Sequence, residues 1–297
     1  MKRTSRKKRV SKTPTKLRKR KSPRTRIKAP QKAKRAKQPT TLQRLGSLQK
    51  RFVIWAGKSS NEKLSERLRR FLPERELFWE AALKVGLSRQ EYEARLLNQS
   101  KIRSRTSAFN RGARLVVSAA GWKKPAIGDG DGSAKARGVQ WQTTMAWTGL
   151  ELLCDSLFPR INNCEADNVL EWCQLLGLAE LDEEIRVPSG LKRSAKIRNL
   201  WQEEVEILEF LDVRGGKPRR ALDAWWVKQT PIADHALALQ AVRAIRDVTS
   251  HGLLSAHRVE KFGLVSANRN GAASPLDRLI EVIVVVALET LKKLLAT

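Results

Sequence analysis

The chain has 297 residues, with 59 Lys and Arg against 30 Asp and Glu, and its formal net charge is +29. With 41% hydrophobic residues it is not a wholly disordered polypeptide. Its longest uninterrupted apolar run, Val282–Leu288, is far shorter than the roughly 20 apolar residues that a membrane-spanning helix needs. We therefore expect a globular protein and no membrane partner.

The positive charge is unevenly distributed along the chain. Residues 1–37 contain 19 Lys and Arg and no acid, residues 38–138 have a net charge of +12, and residues 139–297 have a net charge of −2. This asymmetry predicts a basic arm and a basic module joined to a near-neutral globular domain. The predicted divisions are an arm at 1–40, a basic helical module at 41–125, a linker at 126–138 and a helical bundle at 139–297.

The arm contains few large apolar residues, and its like charges repel at every spacing, so we expect it to be disordered by itself. Bound to a polyanion, it would release counterions in proportion to the phosphates that it neutralises, and its affinity would fall steeply with salt. The nucleic-acid contacts predicted in the arm are its densest basic clusters: Lys7, Lys8, Arg9, Arg18, Lys19 and Arg20. A transit peptide and a solubilising tail are the alternatives.

The module begins with helix signals. Ser88-Arg89-Gln90-Glu91 is a capping box that predicts a helix through Leu97. Pro73 stands where the first turn of a helix tolerates proline, which predicts a second helix over Glu74–Val85 that ends at Gly86. The module is therefore expected to be a small helical unit.

The module continues with Lys101–Lys124, a basic stretch without acids that also contains Phe109 and Trp122. Positive groups around a stackable ring are typical of proteins that bind single-stranded nucleic acid, although Trp122 would also suit a core. The predicted contacts in this stretch are Lys101, Arg103, Arg105, Arg111, Arg114, Trp122, Lys123 and Lys124.

Glycine and aspartate alternate over Gly128–Ser133. This run matches neither a phosphate-binding P-loop nor a calcium loop, and a flexible linker is the preferred interpretation. The three cysteines, Cys154, Cys164 and Cys173, form no CxxC pair, and the three histidines complete no zinc pattern. We expect a reducing compartment, the cytoplasm or a eukaryotic nucleus, and neither a metal nor another cofactor.

Apolar residues recur at helical spacing through the C-terminal half, with no convincing alternating strand pattern. The predicted helices cover 140–158, 168–176, 195–211, 221–250 with an interruption near Pro231, and Pro275–Ala296. The last is capped by Ser274, and its middle is apolar on all sides, so it should be buried. We interpret Trp147, Trp225 and Trp226 as core aromatics. The fold class is all-α, with a C-terminal bundle of four or five helices.

One segment of the bundle indicates chemistry. In Ala241–Gly252 an Arg, Arg246, is followed by Asp247, by His251 five positions after the Arg, and by Gly252. This resembles the R-x4-6-H signature of the HEPN superfamily, whose helical domains commonly act as metal-independent endoribonucleases. The resemblance covers residues 139–297. It implies that Arg246, Asp247 and His251 are catalytic and that the protein is a homodimer with both motifs facing one cleft. A toxin or defence effector is one role that a ribonuclease of this kind could have.

The same residues can be assessed by physical chemistry. Five residues of ideal helix leave Arg246 and His251 about 140° apart, so their side chains converge only if the helix ends between them. Gly252 would supply that end. His251 suits proton transfer, Arg246 the charge of a phosphorane, and Asp247 the orientation of either. The alternative is that Arg246 and His251 are structural, in a non-catalytic nucleic-acid-binding protein whose bundle serves dimerisation.

Overall fold

A computed structural model describes a predominantly helical chain, and the prediction of an all-α fold is confirmed. The residues described are 39–71, 83, 86–122, 132–157, 172–174, 176–186, 206–207, 209–211, 216–265 and 273–296. The helices, in chain order, are α1 (Thr41–Lys58), α2 (Asn61–Phe71), α3 (Arg89–Leu96), α4 (Gln99–Gly121), α5 (Gly132–Leu157), α6 (Lys217–Leu222), α7 (His235–Ser250), α8 (Ala256–Lys261) and α9 (Pro275–Ala296). A five-residue π-helix, Asp223–Val227, follows α6 directly.

Local capping signals fix several helix starts. The Ser88 hydroxyl accepts the backbone N–H of Glu91 at 3.2 Å, and the Glu91 carboxylate accepts the Ser88 N–H at 2.8 Å, so the predicted capping box is confirmed. Thr40 and Gln43 form an equivalent box at the start of α1. Ser274 accepts the N–H of Asp277 at 3.3 Å, and α9 has the predicted bounds.

Helices α4 and α5 form an antiparallel pair with unusually close backbones. Gly112 lies opposite Gly149, and a β-carbon built on Gly112 would be 2.6 Å from the Gly149 carbonyl oxygen. Further along the pair, the Gln142 amide donates to the carbonyl of Ala119 at 3.2 Å. Glycine at both positions therefore permits a contact that a side chain would prevent.

Helix α9 lies at the centre of the core and packs against α1, α2, α4, α5 and α7. Its residues Leu279, Ile283 and Val286 have no exposed surface, which confirms that the helix is buried. The described helices all belong to one compact unit, Pro39–Thr297. The helices of the predicted module and of the predicted bundle therefore share one core. The boundary between these two parts stays a prediction, made from charge and composition.

A small sheet interrupts the helical architecture, where the sequence indicated no strands. Strand β1 (Glu180–Ile185) pairs antiparallel with β2 (Ile232–Asp234). In β1 only Ile185 is buried, so the acidic residues at 182–184 remain in solvent and no apolar alternation marks the strand. The Trp225 indole N–H donates to the Ile185 carbonyl at 3.0 Å and joins the sheet to the core.

Other predictions have mixed outcomes. Trp147, Trp225 and Trp226 are at most 6% exposed, which confirms them as core aromatics. Helix α5 begins at Gly132, inside the predicted linker, because the segment after the glycine–aspartate run continues the helical pattern. The predicted helices at 74–85, 168–176 and 195–211, like linker residues 126–131, lie mainly outside the described residues.

Candidate functional site

Helix α7 carries the candidate site, and its position is fixed by an N-cap and a buried apolar face. Its N-cap Asp234 accepts the backbone N–H of Leu237 at 2.6 Å, which orients the first turn. Apolar residues spaced by three and four, among them Leu239, Val242 and Ile245, are at most 1% exposed. The buried face fixes the rotation of α7. Arg246, which follows the buried Ile245, therefore lies at the edge of this face, beside the core.

The C-terminal end of α7 has the geometry predicted from Gly252. Gly252 has a φ of +75° and donates its N–H to the carbonyl of Thr249 at 3.1 Å, while Leu253 donates to Val248 at 2.9 Å. These two bonds define a Schellman motif with Gly252 at C′. His251 is the C-cap, with φ −92° and ψ 7°. The helix therefore ends between Arg246 and His251.

Arg246 is held by carboxylates from two helices. Its Nη1 donates to Asp247 Oδ1 at 2.7 Å, and its Nη2 donates to both oxygens of Glu151 on α5, at 2.9 and 3.1 Å. The Arg246 side chain retains 30% exposure. The guanidinium is therefore fixed in position while one part of it reaches the surface.

The charge of Arg246 is secured by its partners. Burial by itself lowers the pKa of Arg246, but the hydrogen bonds and negative charges of Asp247 and Glu151 outweigh it, so the pKa is raised. Asp247 is 6% exposed and also lies 3.9 Å from the guanidinium of Arg243. Two guanidinium groups and two carboxylates thus balance formally at this end of α7.

His251 is exposed, whereas Asp247 is buried and Arg246 is partly buried. Its backbone N–H donates to the carbonyl of Asp247 at 3.1 Å, and its ring lies 4.9 Å from the ring of Phe210, between centroids. His251 follows the last helical residue, Ser250, and so lies at the negative end of the helix dipole. This placement leaves the ring accessible for proton transfer and limits its motion through the aromatic contact.

Two residues of this site, Glu151 and Phe210, are absent from the sequence prediction. Glu151 lies 95 positions from Arg246, so no local pattern connects them. The available signal is an acid within the mainly apolar segment Leu150–Cys154 of α5. Phe210 belongs to a predicted helix of which few residues are described, and its contact with His251 had no sequence signal.

The basic residues predicted on α4 occupy different environments. Lys101, Arg111 and Arg114 are exposed. Arg103 is also exposed, but its guanidinium donates to the carbonyls of Ala56 and Ser59, at 3.1 and 2.6 Å, and so caps the end of α1. These four residues still leave a positively charged surface along α4.

Arg105 corrects the sequence prediction. All three of its guanidinium nitrogens are buried, and the side chain lines a small cavity with Phe52, Trp55 and Phe109. Position 105 lies on the inward face of α4, because it is close in rotation to Gly112 and Phe109. Arg105 is therefore not available to a phosphate.

Trp122 is the C-cap of α4 and is 44% exposed, so it is not a core residue. Its carbonyl accepts the amide of Gln142 at 2.9 Å. The remaining predicted contacts lie outside the described residues: Lys7, Lys8, Arg9, Arg18, Lys19, Arg20, Lys123 and Lys124.

Two other kinds of feature are absent from the described residues. None of the helices there combines the length and the hydropathy needed to cross a membrane. Within the same residues, no group of three or more His, Cys, Asp or Glu side chains is arranged to hold a metal ion. Comparisons with protein-family models, with curated proteins and with solved structures found no match.

Proposed function

We propose that this chain is a metal-independent endoribonuclease of HEPN type. A toxin or a defence effector is one biological role that this activity would serve. The observation that carries the proposal is the arrangement at the end of α7. The guanidinium of Arg246, bound by two carboxylates, lies in the last turns of the helix, and the exposed His251 follows as the C-cap before Gly252. These are the residue types of the R-x4-6-H signature at its spacing. The charges and contacts of both side chains suit cleavage of RNA by its own 2′-hydroxyl.

In that reaction the 2′-oxygen attacks phosphorus and the 5′-oxygen leaves, giving a 2′,3′-cyclic phosphate and a 5′-hydroxyl. A base takes the proton of the 2′-hydroxyl and an acid supplies one to the 5′-oxygen, and His251 is suited to either task. Arg246 would stabilise the negative charge of the phosphorane. Asp247 and Glu151 would keep its guanidinium oriented, which reduces reorganisation when the charge develops.

A second copy of the chain would complete the acid and base pair. One chain offers one His251, whereas two proton transfers on two oxygens are easier with two imidazoles. A twofold interface formed by the C-terminal end of α7 would place two Arg246 and two His251 side chains in one cleft, because an isologous contact brings together the same patch of both copies. We therefore propose a homodimer as the active form.

The proposal is tested by incubating the purified chain with RNA in EDTA and comparing wild type with Arg246→Ala and His251→Ala. We expect cleavage to fall by at least about 100-fold in each variant, because His251→Ala removes the proton-transferring group and Arg246→Ala removes the cation that stabilises the phosphorane. His257→Ala is the matched control, since His257 is another exposed histidine close in sequence. RNA with 2′-deoxyribose at the cleaved position should resist cutting.

Equal cutting by wild type, Arg246→Ala and His251→Ala would overturn the proposal, as would equal inactivity of all three. Loss of activity in His257→Ala of the same size would show that the assay reports folding instead of chemistry. Circular dichroism of each variant separates these cases, because a folded inactive variant retains the helical signal.

A second candidate is a non-catalytic nucleic-acid-binding protein, which one observation favours. Arg246 joins α5 to α7 through Glu151, as a structural ion pair would. In this case Lys101, Arg111 and Arg114 of α4, with the arm, would bind the polyanion, and the bundle would only dimerise. RNA binding without cutting, unaffected by His251→Ala, would support this candidate.

A further inference from the structure

Two large aromatic side chains are exposed on the α4–α5 pair. Trp141 on α5 is 55% exposed and Trp122, the cap of α4, is 44% exposed. Burying an indole is strongly favourable, so tryptophans are usually highly buried. Trp147, six residues further along α5, is 3% exposed. The exposure of Trp141 therefore calls for a specific explanation.

The two tryptophans lie at similar levels of the antiparallel helix pair. Gln142, next to Trp141 in sequence, donates its amide to the carbonyls of Ala119 and Trp122, at 3.2 and 2.9 Å. The contact fixes the backbone of Trp122 beside the first half of α5. Both exposed rings are therefore attached to backbone positions at the same level of the helix pair.

A cation accompanies Trp141 on the same face of α5. Arg137 is exposed and precedes Trp141 by four residues, which places the two side chains one turn apart on neighbouring positions. Arg111 and Arg114 are exposed on the adjacent helix α4. We call Trp122, Arg137 and Trp141 the tryptophan surface. It combines stackable rings with positive charge, as single-stranded nucleic-acid sites do.

A neighbour of Trp141 in sequence connects this part of α5 to the end of α7. Gln140, which precedes Trp141, donates its amide to the Leu254 carbonyl at 2.7 Å and lies 3.4 Å from the Thr249 hydroxyl. Thr249 is two residues before His251. A strand lying on Trp141 would therefore be near the end of α7.

We propose that the tryptophan surface binds unpaired RNA, with Trp141 and Trp122 stacked on bases and Arg137 bound to the backbone. It leads the strand from the cations of α4 toward the end of α7. The choice of RNA as ligand rests on the proposed function. Stacking accepts any base, so this surface supplies affinity with little sequence preference.

The test measures binding in the His251→Ala background, so that RNA remains intact. Fluorescence anisotropy compares a labelled oligouridylate with an abasic ribose-phosphate strand of the same length. We expect Trp141→Ala to weaken oligouridylate binding about tenfold and to leave abasic binding unchanged, because it removes a stacking contact and no charge. Trp141→Phe should restore most of the affinity. Arg137→Ala should weaken binding of both strands and reduce the slope of log affinity against log salt.

Ile54→Ala is the matched control, since Ile54 is an exposed apolar residue, at 59%, on α1. An unchanged affinity in Trp141→Ala, or an equal loss on the abasic strand, would overturn the inference. A loss that accompanies a change from dimer to monomer in light scattering would also overturn it, because Trp141 would then serve an interface between copies.

The two proposals fail separately. One outcome is that Trp141→Ala weakens oligouridylate binding, but the chain that retains His251 does not cut RNA in EDTA. This outcome supports the tryptophan surface and contradicts the nuclease. Cutting that depends on His251, with oligouridylate affinity unaffected by Trp141→Ala, supports the nuclease and contradicts the tryptophan surface. Absence of any RNA binding contradicts both.

Discussion

Arg246 and Glu151 connect α7 to α5 through one guanidinium nitrogen that donates to both oxygens of one carboxylate, at 2.9 and 3.1 Å. The two side chains are 30% and 25% exposed, so solvent screens the pair only in part. We expect Glu151→Ala to lower the free energy of unfolding by about 1–2 kcal/mol, because it leaves a half-buried guanidinium short of a partner. Urea denaturation measures the change.

The same variant tests whether Glu151 positions Arg246. A double-mutant cycle with Arg246→Ala isolates the coupling of the two side chains from their other contacts. If the destabilisations of Glu151→Ala and Arg246→Ala simply add, the ion pair contributes nothing and its geometry has no energetic meaning. We expect Glu151→Gln, which retains one acceptor oxygen, to fall between wild type and Glu151→Ala in stability.

Gly252 is expected to tolerate alanine poorly for a purely conformational reason. Its φ is +75°, yet a β-carbon there would meet no heavy atom within 4 Å. The cost of Gly252→Ala is therefore that of placing an L-residue in the left-handed region, about 1–2 kcal/mol. Thermal unfolding measures it, and Gly252→Asn should lose less because asparagine visits this region more readily. Equal stabilities of wild type and Gly252→Ala would contradict this account of the helix end.

Local signals in the sequence account for what could be predicted. The bounds of α9 follow from Ser274, Pro275 and an apolar run, and the end of α7 follows from Gly252, because caps act within a few residues. The strands could not be predicted in this way. Strand β1 buries Ile185 alone, so its pairing with β2 depends on backbone bonds between distant segments.

The candidate site shows the same division. Arg246 and His251 share a sequence motif, whereas the Glu151 carboxylate and the Phe210 ring reach them only through tertiary packing. Composition groups Arg105 with the other basic residues of α4, although its position on the helix turns it inward. Composition ignores helical phase, which explains this error. The catalytic roles of Arg246, Asp247 and His251 stay predictions.

Gly112 and Gly149 should be among the positions least tolerant of substitution. A β-carbon at Gly112 would lie 2.6 Å from the carbonyl oxygen of Gly149 and 2.8 Å from the backbone nitrogen of Leu153. Backbone atoms cannot move aside as a flexible side chain can, so Gly112→Ala would separate α4 from α5. We expect a loss of about 3 kcal/mol or more in the free energy of unfolding, at the upper end of overpacking costs.

Gly138→Ala is the matched control for this substitution. Gly138 lies within α5, as Gly149 does, but a β-carbon there meets nothing within 4 Å. Alanine has the higher helix propensity, so this variant should gain about 0.5–1 kcal/mol. Similar stabilities of Gly112→Ala and Gly138→Ala in urea denaturation would show that the two helices are not in close contact.

Cys173 should resist thiol reagents in the folded chain. Burial, with a smaller contribution from the Asp234 carboxylate, raises the pKa of the Cys173 thiol to about 12. The thiolate is the reactive form, and a raised pKa keeps it scarce at pH 8. We expect mass spectrometry of iodoacetamide-treated protein to find Cys173 alkylated only after denaturant is added. Alkylation at the same rate with and without denaturant would contradict its burial.

Deletion of residues 1–37 tests the contribution of the basic arm to RNA binding. This segment carries 19 Lys and Arg and no acid. Each phosphate that it neutralises on a single strand contributes about 0.7 to the slope of log affinity against log salt. We expect the truncated chain to bind RNA more weakly and with a flatter slope, measured by anisotropy across a salt series.

A chain whose arm is replaced by a neutral Gly/Ser segment of equal length is the control, because it restores length without charge. It should behave like the truncation. Arg111→Ala and Arg114→Ala, each in the truncated background, should lower the remaining slope by about 0.7 apiece if these exposed side chains of α4 bind phosphate. An unchanged slope after truncation would contradict phosphate binding by the arm and leave α4 as the main candidate for the electrostatic contact.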